Sequence, residues 1–152
     1  MNKNEFNPLE EIGFIIARTH RTMLNTLNQR LVEEGFDLTS EQAIVIMRLS
    51  IQDGLTQQEL SDAIFKEKSS VKRLIDNLER KNMIVRIMDQ NDRRNKRIHL
   101  THGGRILQEN MSKVAICLLT EVQTGIDNNE MEICKKVLTQ IFNTLSDKSK
   151  KQ

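Results

Sequence analysis

The chain has no hydrophobic run approaching the roughly 18 residues that cross a bilayer, and its first residues, MNKNEFNP, are polar. Neither a membrane span nor a secretory leader is therefore expected. Histidine is scarce as well. His20, His99 and His102 are the only three, and no serine, cysteine or carboxylate stands around them in an order that would make a catalytic constellation. His99 and His102 straddle what reads as a strand-to-helix junction and lack an evident third metal ligand, so structural roles are expected, with no enzyme activity, cofactor or metal. Cys117 and Cys134 are the only cysteines. They lie in apolar helical contexts, without zinc-site spacing or a dense disulfide framework, which suits buried thiols in a reducing, cytoplasmic compartment. Nothing resembles a linker, and 152 residues can bury one sizeable core.

Charge is nearly balanced but unevenly placed. The formal net charge of +2 divides into −5 over residues 1–65, +6 over residues 66–97 and +1 over residues 98–152. Focused positive charge is the footprint of a phosphate-binding surface, although a charge run is as readily a solvated face.

Apolar periodicity supplies the elements around that segment. Leu9, Ile12, Ile16, Met23, Leu27 and Leu31 recur at helical spacing, with Ile15 and Leu24 widening the stripe, and the helix should end near Glu34-Gly35. In LTSEQAIVIMRL, Thr39 and Gln42 form a reciprocal cap, and Leu38 can pack on Ala43 across it. Thr56 and Glu59 repeat the device for a short helix, with Leu55 and Leu60 as the staple. After a turn at FKEK, a helix beginning at Ser69 places Val71, Leu74, Ile75 and Leu78 on one face. Asn82 can end it in a left-handed conformation. MIVRIM and RIHL then read as two strands joined by a charged turn. Thr101 should cap a further helix with Leu107, Met111, Val114, Ala115, Leu118 and Val122 as its stripe. Gly125 to Asn129 breaks it, and a last helix turns Cys134, Val137, Leu138, Ile141, Phe142 and Leu145 inward before a flexible tail at 148–152. Helices followed by a two-stranded ribbon make a mainly α fold, a winged helix-turn-helix over residues 38–101. The stripes of the flanking segments, 1–37 and 102–147, are too extensive for that module to cover and imply a second copy of the chain.

The joining turn, DQNDRRNKR, holds more charge than a hairpin tip requires. Either it is an incidental solvated loop or something negative sits opposite it.

The order SSV, R-L-I-D-x-L-E, I-x-R, D-x-R, LT and a Gly-Arg pair, spread over GLTQQELSDAIFKEKSSVKRLIDNLERKNMIVRIMDQNDRRNKRIHLTHGGRIL, resembles the MarR family of bacterial transcriptional regulators. The likeness covers about half the chain contiguously, with Asn82 where the family usually has Gly. It implies a homodimer on a pseudo-palindromic operator, acting as a repressor and often released by a small molecule or by oxidation. The helix from Ser69 would enter the major groove and Arg94 the minor groove, with Asp92 holding that arginine in position.

The residues support those roles physically. A recognition helix reads donor and acceptor patterns in the major groove. Ser69, Ser70, Lys72, Arg73 and Asn77 present hydroxyls, charge and an amide there; Arg73 suits guanine and Lys72 a phosphate, unless the serines only cap the helix. An arginine at a ribbon tip can enter a narrow minor groove, at a rotamer-entropy cost of about 2 kcal/mol at most. Asp92 would orient Arg94 beforehand, and Arg93, Lys96 and Arg97 would take flanking phosphates. Two rival readings remain. A protein-interaction module without DNA binding would show acidic or apolar residues at these positions. A thiol sensor would need an exposed, low-pKa cysteine, and the first helix, where peroxide-sensing members keep theirs, has none. The effector is not legible.

Overall fold

In the computed structural model the described residues are residue 7 and residues 9–149, with side chains set aside at 148 and 149. Apart from Asn7, the run MNKNEFNPLE is described only from Leu9 onward, and residues 150–152 of the expected tail also lie outside. The elements in chain order are α1 (Ile12–Glu33), α2 (Ser40–Ile51), β1 (Leu55–Thr56), α3 (Gln57–Ile64), α4 (Lys68–Arg80), β2 (Ile84–Met88), β3 (Lys96–Leu100), α5 (His102–Gln123) and α6 (Asn128–Ser149). By backbone proximity they divide into two units, Met1–Ala115 and Ile116–Gln152.

The first unit forms where the sequence supplies caps and an apolar face together. Thr39 Oγ1 accepts from the Gln42 N–H at 3.2 Å while Gln42 Oε1 accepts from the Thr39 N–H at 3.0 Å. Thr56 and Glu59 repeat the pair at 3.2 and 2.8 Å. Four donors that a helix start leaves unsatisfied are thereby bonded. Val71, Leu74, Ile75 and Leu78 of α4 are buried in one cluster with Leu31, Val45, Ile46, Leu49, Leu60, Ile84, Ile98, Leu100 and Met111. Asn82 ends α4 at φ +57°, and Gly35 follows α1 at φ +80°.

The sheet has three strands, in the order β1-β3-β2, rather than the two expected. Leu55 and Thr56, which staple and cap α3, are extended and pair antiparallel with Ile98 and Arg97. A two-residue strand carries no periodic signal, so only the fold reveals it. β2 pairs with β3 from Ile84↔Leu100 to Met88↔Lys96.

Thr101 fixes the start of α5. Its hydroxyl accepts from the Gly104 N–H at 3.0 Å and donates to the Asn82 carbonyl at 2.7 Å. Gly104 lies against the same corner: a Cβ there would stand 2.0 Å from the Met83 carbonyl oxygen.

The outer helices differ from expectation in what the protomer covers. α1 starts at Ile12 rather than Leu9, and of its stripe only Leu31 is buried, with Ile12 and Ile16 exposed. In α5, Met111, Ala115 and Leu118 are buried but Val122 is exposed; in α6, Val137, Leu138, Phe142 and Leu145 are exposed rather than inward. α6 runs on through Ser149, two residues into the stretch expected as tail. The cysteines also depart from the buried-thiol reading, since both are exposed. Cys117 falls off the buried stripe of α5, between the exposed Lys113 and Glu121 positions at four-residue steps, and Cys134 shares the uncovered face of α6.

Gly104→Ala should shift the chain's corner and lower stability by about 2 kcal/mol, as overpacking does. Gly103→Ala, whose Cβ would find nothing closer than 3.7 Å, should be neutral or slightly stabilising. Urea midpoints of the two variants against the parent check the contrast.

Candidate nucleic-acid interface

The burial of one face of α4 determines what the other presents. Ser69, Lys72 and Arg73 are exposed, and Ser70 and Asn77 half-buried. The helix begins at Lys68, one residue before the expected start, with Glu67 at the cap position. Ser69 and Ser70 are therefore inside the first turn and do not cap it, Ser69 exposed and Ser70 half-buried.

These polar groups differ in what they already hold. Lys72 Nζ donates to Asp76 Oδ2 at 2.8 Å, one helical turn on. Asn77 Oδ1 accepts from Arg80. Arg73 has no side-chain partner among the described residues, and borders a shallow recess with Ser70, Asn77, Thr39, Glu41 and Lys66.

The ribbon turn is built by its acids. Asp92 Oδ1 accepts from the Arg94 backbone N–H at 3.0 Å and Oδ2 from Asn95 Nδ2 at 3.1 Å. This corrects the expected pairing: Asp92 bonds the backbone of Arg94, not its guanidinium, because two residues' separation is the reach of an Asx turn. The result still aims the tip, with Arg93, Arg94 and Lys96 exposed and without side-chain partners among the described residues.

Arg97, expected as a phosphate contact, is also engaged within the module. Its Nε donates to Asp89 Oδ2 at 2.6 Å and its Nη1 to the Gly54 carbonyl at 2.8 Å, with Glu59 Oε2 at 3.8 Å. Strand β3 carries it beside β1, so the guanidinium ties the ribbon to the helix-turn-helix. Asp89, itself buried, also accepts from the Asn91 N–H at 2.8 Å.

Sequence reasoning noted Arg86 only as a motif letter. In the fold it bonds Asp76 through Nη2 and Glu79 through Nη1, and its backbone N–H donates to Glu79 Oε1 at 3.2 Å. One signal was present: an arginine inside an apolar strand, after a helix whose acids at 76 and 79 share a face. Asp53 plays a similar part at the other end of the sheet, accepting from the Leu100 N–H at 3.0 Å and from Arg105 Nη2 at 2.7 Å, with His99 Nδ1 at 3.4 Å. His99 is thus placed by a carboxylate. No group of three or more His, Cys, Asp or Glu that could hold a metal ion occurs among the described residues.

The carboxylates respond to these partners. Burial raises the pKa of Asp53, but the Leu100 N–H, Arg105 and His99 outweigh it and hold the group below its ordinary value. Lys72 and then Arg86 lower Asp76, and the Asn91 N–H, with Arg97, lowers Asp89. A lowered pKa contributes stability that is present above the ordinary carboxylate value and lost as pH falls through the depressed one. Asp53, Asp76 and Asp89 are therefore charged at neutral pH.

A helix with a free polar face, preceded by a capped helix and followed by a cationic ribbon, is a winged helix-turn-helix, a DNA-binding module. Comparisons with known proteins agree and narrow the class. The model described as MarR family matches residues 36–95. The regulator SarZ of Staphylococcus aureus (strain USA300) is 26% identical over 136 residues, which are 90% of this chain and 84% of SarZ. The S. aureus MepR structure, solved as a DNA complex, superposes with a TM-score of 0.81 at 30% identity, covering 92% of this chain and 99% of that one. A MarR regulator from Methanosarcina mazei Go1 gives 0.77 at 28% identity, over 89% and 96%. The chain belongs to the MarR family and is a DNA-binding transcriptional regulator, not an enzyme.

Because Asp92 acts on backbone, an amide should replace it. Asp92→Asn keeps an acceptor for the Arg94 N–H and should bind DNA as well as the parent or better, whereas Asp92→Ala should bind about two- to tenfold less tightly, the equivalent of one lost hydrogen bond. Fluorescence anisotropy on one duplex distinguishes this from guanidinium pairing, which Asn would not restore.

Proposed function

We infer that the chain is a homodimeric repressor that places α4 in successive major grooves of a pseudo-palindromic operator and the tip of the β2–β3 wing in the adjacent minor grooves. The observation that carries the reading is the split among its cations. Arg86 and Arg97 are held by carboxylates inside the module, while Arg73 on α4 and Arg93, Arg94 and Lys96 on the wing stand exposed without side-chain partners among the described residues. Cations left unneutralised on one helix face and one ribbon tip suit a polyanion with two grooves. Ser69, Ser70 and Asn77 then read or position from α4, with Arg73 on a base edge and Lys72 on a phosphate. Arg94 enters the minor groove, Arg93 and Lys96 meet phosphates, and Asp92 and Arg97 shape and anchor the wing.

Dimerisation is supported by the apolar side chains left exposed on α1 and, separately, on α6, including Ile12, Phe14, Val137 and Phe142. A second copy would cover them and set the half-site spacing. For release by a small molecule, the supporting feature is a recess of ≈ 300 Å³ lined by Asp37, Leu38, Lys81, Met83 and Leu107. It borders the corner between α4 and β2, so an occupant would bear on the recognition helix.

Two kinds of contact predict two kinds of loss. Arg73→Ala should cost about 1–3 kcal/mol on the preferred operator and much less on unrelated DNA. Lys96→Ala should weaken both alike and lower the salt slope by about 1. Anisotropy titrations at several salt concentrations would return the cations to a merely solvated face if both variants lost little on either DNA.

Deleting residues 128–152 should leave a monomer or an aggregate with weak operator binding. A well-folded dimer with normal affinity, seen by sedimentation, would remove α6 from the assembly.

A further inference from the structure

One carboxylate in this module serves two cations. Asp76 accepts from Lys72 Nζ through Oδ2 at 2.8 Å and from Arg86 Nη2 through Oδ1. The two cations differ in their freedom. The Lys72 side chain is 63% exposed and its only partner among the described residues is Asp76, whereas that of Arg86 is 18% exposed and has Glu79 as a second partner. Lys72 can leave for another anion; Arg86 is enclosed. Cations on a shared carboxylate weaken each other's hold, because they repel and divide one negative charge between them.

Arg86 stands at the middle of β2, an outer strand that pairs among the described residues with β3 alone. Its bonds to Asp76 and Glu79 are the polar ties of that strand to α4, beyond the packing of Ile84 at its start in the shared core. The firmness of the wing therefore depends on how much of Asp76 is left to Arg86.

Resting on the reading of Lys72 as a phosphate contact, we propose that Asp76 is a positioning residue that makes the order of the wing depend on the docking of α4. When a backbone phosphate takes Lys72, the whole charge of Asp76 turns to Arg86 and β2 is held more firmly against the helix. Arg93 and Arg94 are then carried on a stiffer ribbon. The helix docks first and the wing follows. An encounter that leaves Lys72 on Asp76 leaves the wing loose, so minor-groove contact is favoured on duplexes into which α4 has already fitted.

The test reads the wing without DNA. At the tip the Asp89 N–H donates to the Asn95 carbonyl at 3.0 Å and the Asn95 N–H to the Asp92 carbonyl at 2.9 Å. Amide hydrogen exchange at these two groups, followed by NMR on the full chain, reports its opening. Lys72→Met should slow exchange at both by about two- to fivefold, the range that a partly exposed ion pair supports. Asp76→Asn should speed it, and adding Lys72→Met to Asp76→Asn should change nothing further. A purely local Lys72 would move neither amide, and unchanged or faster exchange in Lys72→Met overturns the proposal. Core amides of α2 serve as the reference for folding. In a second arm, a duplex of about 30 base pairs, selected on the parent protein from a random pool, should slow the tip amides of the parent more than those of Lys72→Met. If no duplex can be selected, the docking role falls together with the DNA-contact reading, whereas the DNA-free arm alone decides the shared carboxylate.

Discussion

The rotation of α4 about its own axis is the constraint on which the rest of the molecule depends. Val71, Ile75 and Leu78 are completely buried and Leu74 nearly so. Turning the helix by one residue would bring about 100° of rotation, exposing leucines and burying an arginine without a partner, at several kcal/mol for the charge alone. Arg73 and Lys72 face outward because their neighbours cannot. The same burial aims Asp76 and Glu79 at β2, so the polar face and the wing attachment follow from one hydrophobic decision.

Within that frame the module sorts its positive charge. Arg86 and Arg97, on the two strands of the wing, are satisfied by acids from α4 and from the wing itself. Holding them costs desolvation that paired geometry offsets, and what they contribute is a fixed direction for the ribbon. Arg73, Arg93, Arg94 and Lys96 stay exposed, with no side-chain partner among the described residues. A net charge of +2 over the chain therefore conceals a module in which Asp76, Glu79 and Asp89 are occupied with structural arginines, which is why segment charge was more informative than total charge.

Much of this was readable in advance, for physical reasons. Caps such as Thr39 with Gln42 are local chemistry, complete within four residues. The α4 stripe is a period, and Asn82 a backbone preference. What escaped depended on pairings distant in sequence. The Leu55–Thr56 strand exists only because Ile98 and Arg97 arrive beside it. Arg97 and Arg94 look alike in DQNDRRNKR, yet one reaches Asp89 and the Gly54 carbonyl while the other points into solvent. Asp92 was assigned to the right neighbour and the wrong atom, since a sequence shows that two residues are close but not whether side chain or backbone answers. The thiols were misjudged because an apolar stripe tells which face seeks cover, not whether the chain itself supplies it.

The corner where Gly104 rests on the Met83 carbonyl has a mechanical meaning. A contact between side chains can slip by a rotamer and absorb a small displacement, but a Cα lying directly on a peptide oxygen has no such compliance. With Thr101 bonded to the Asn82 carbonyl one residue earlier, the first turn of α5 and the last turn of α4 behave as a welded joint. A tilt imposed at the beginning of α5, or by an occupant of the recess beside Met83 and Leu107, reaches the reading helix undamped.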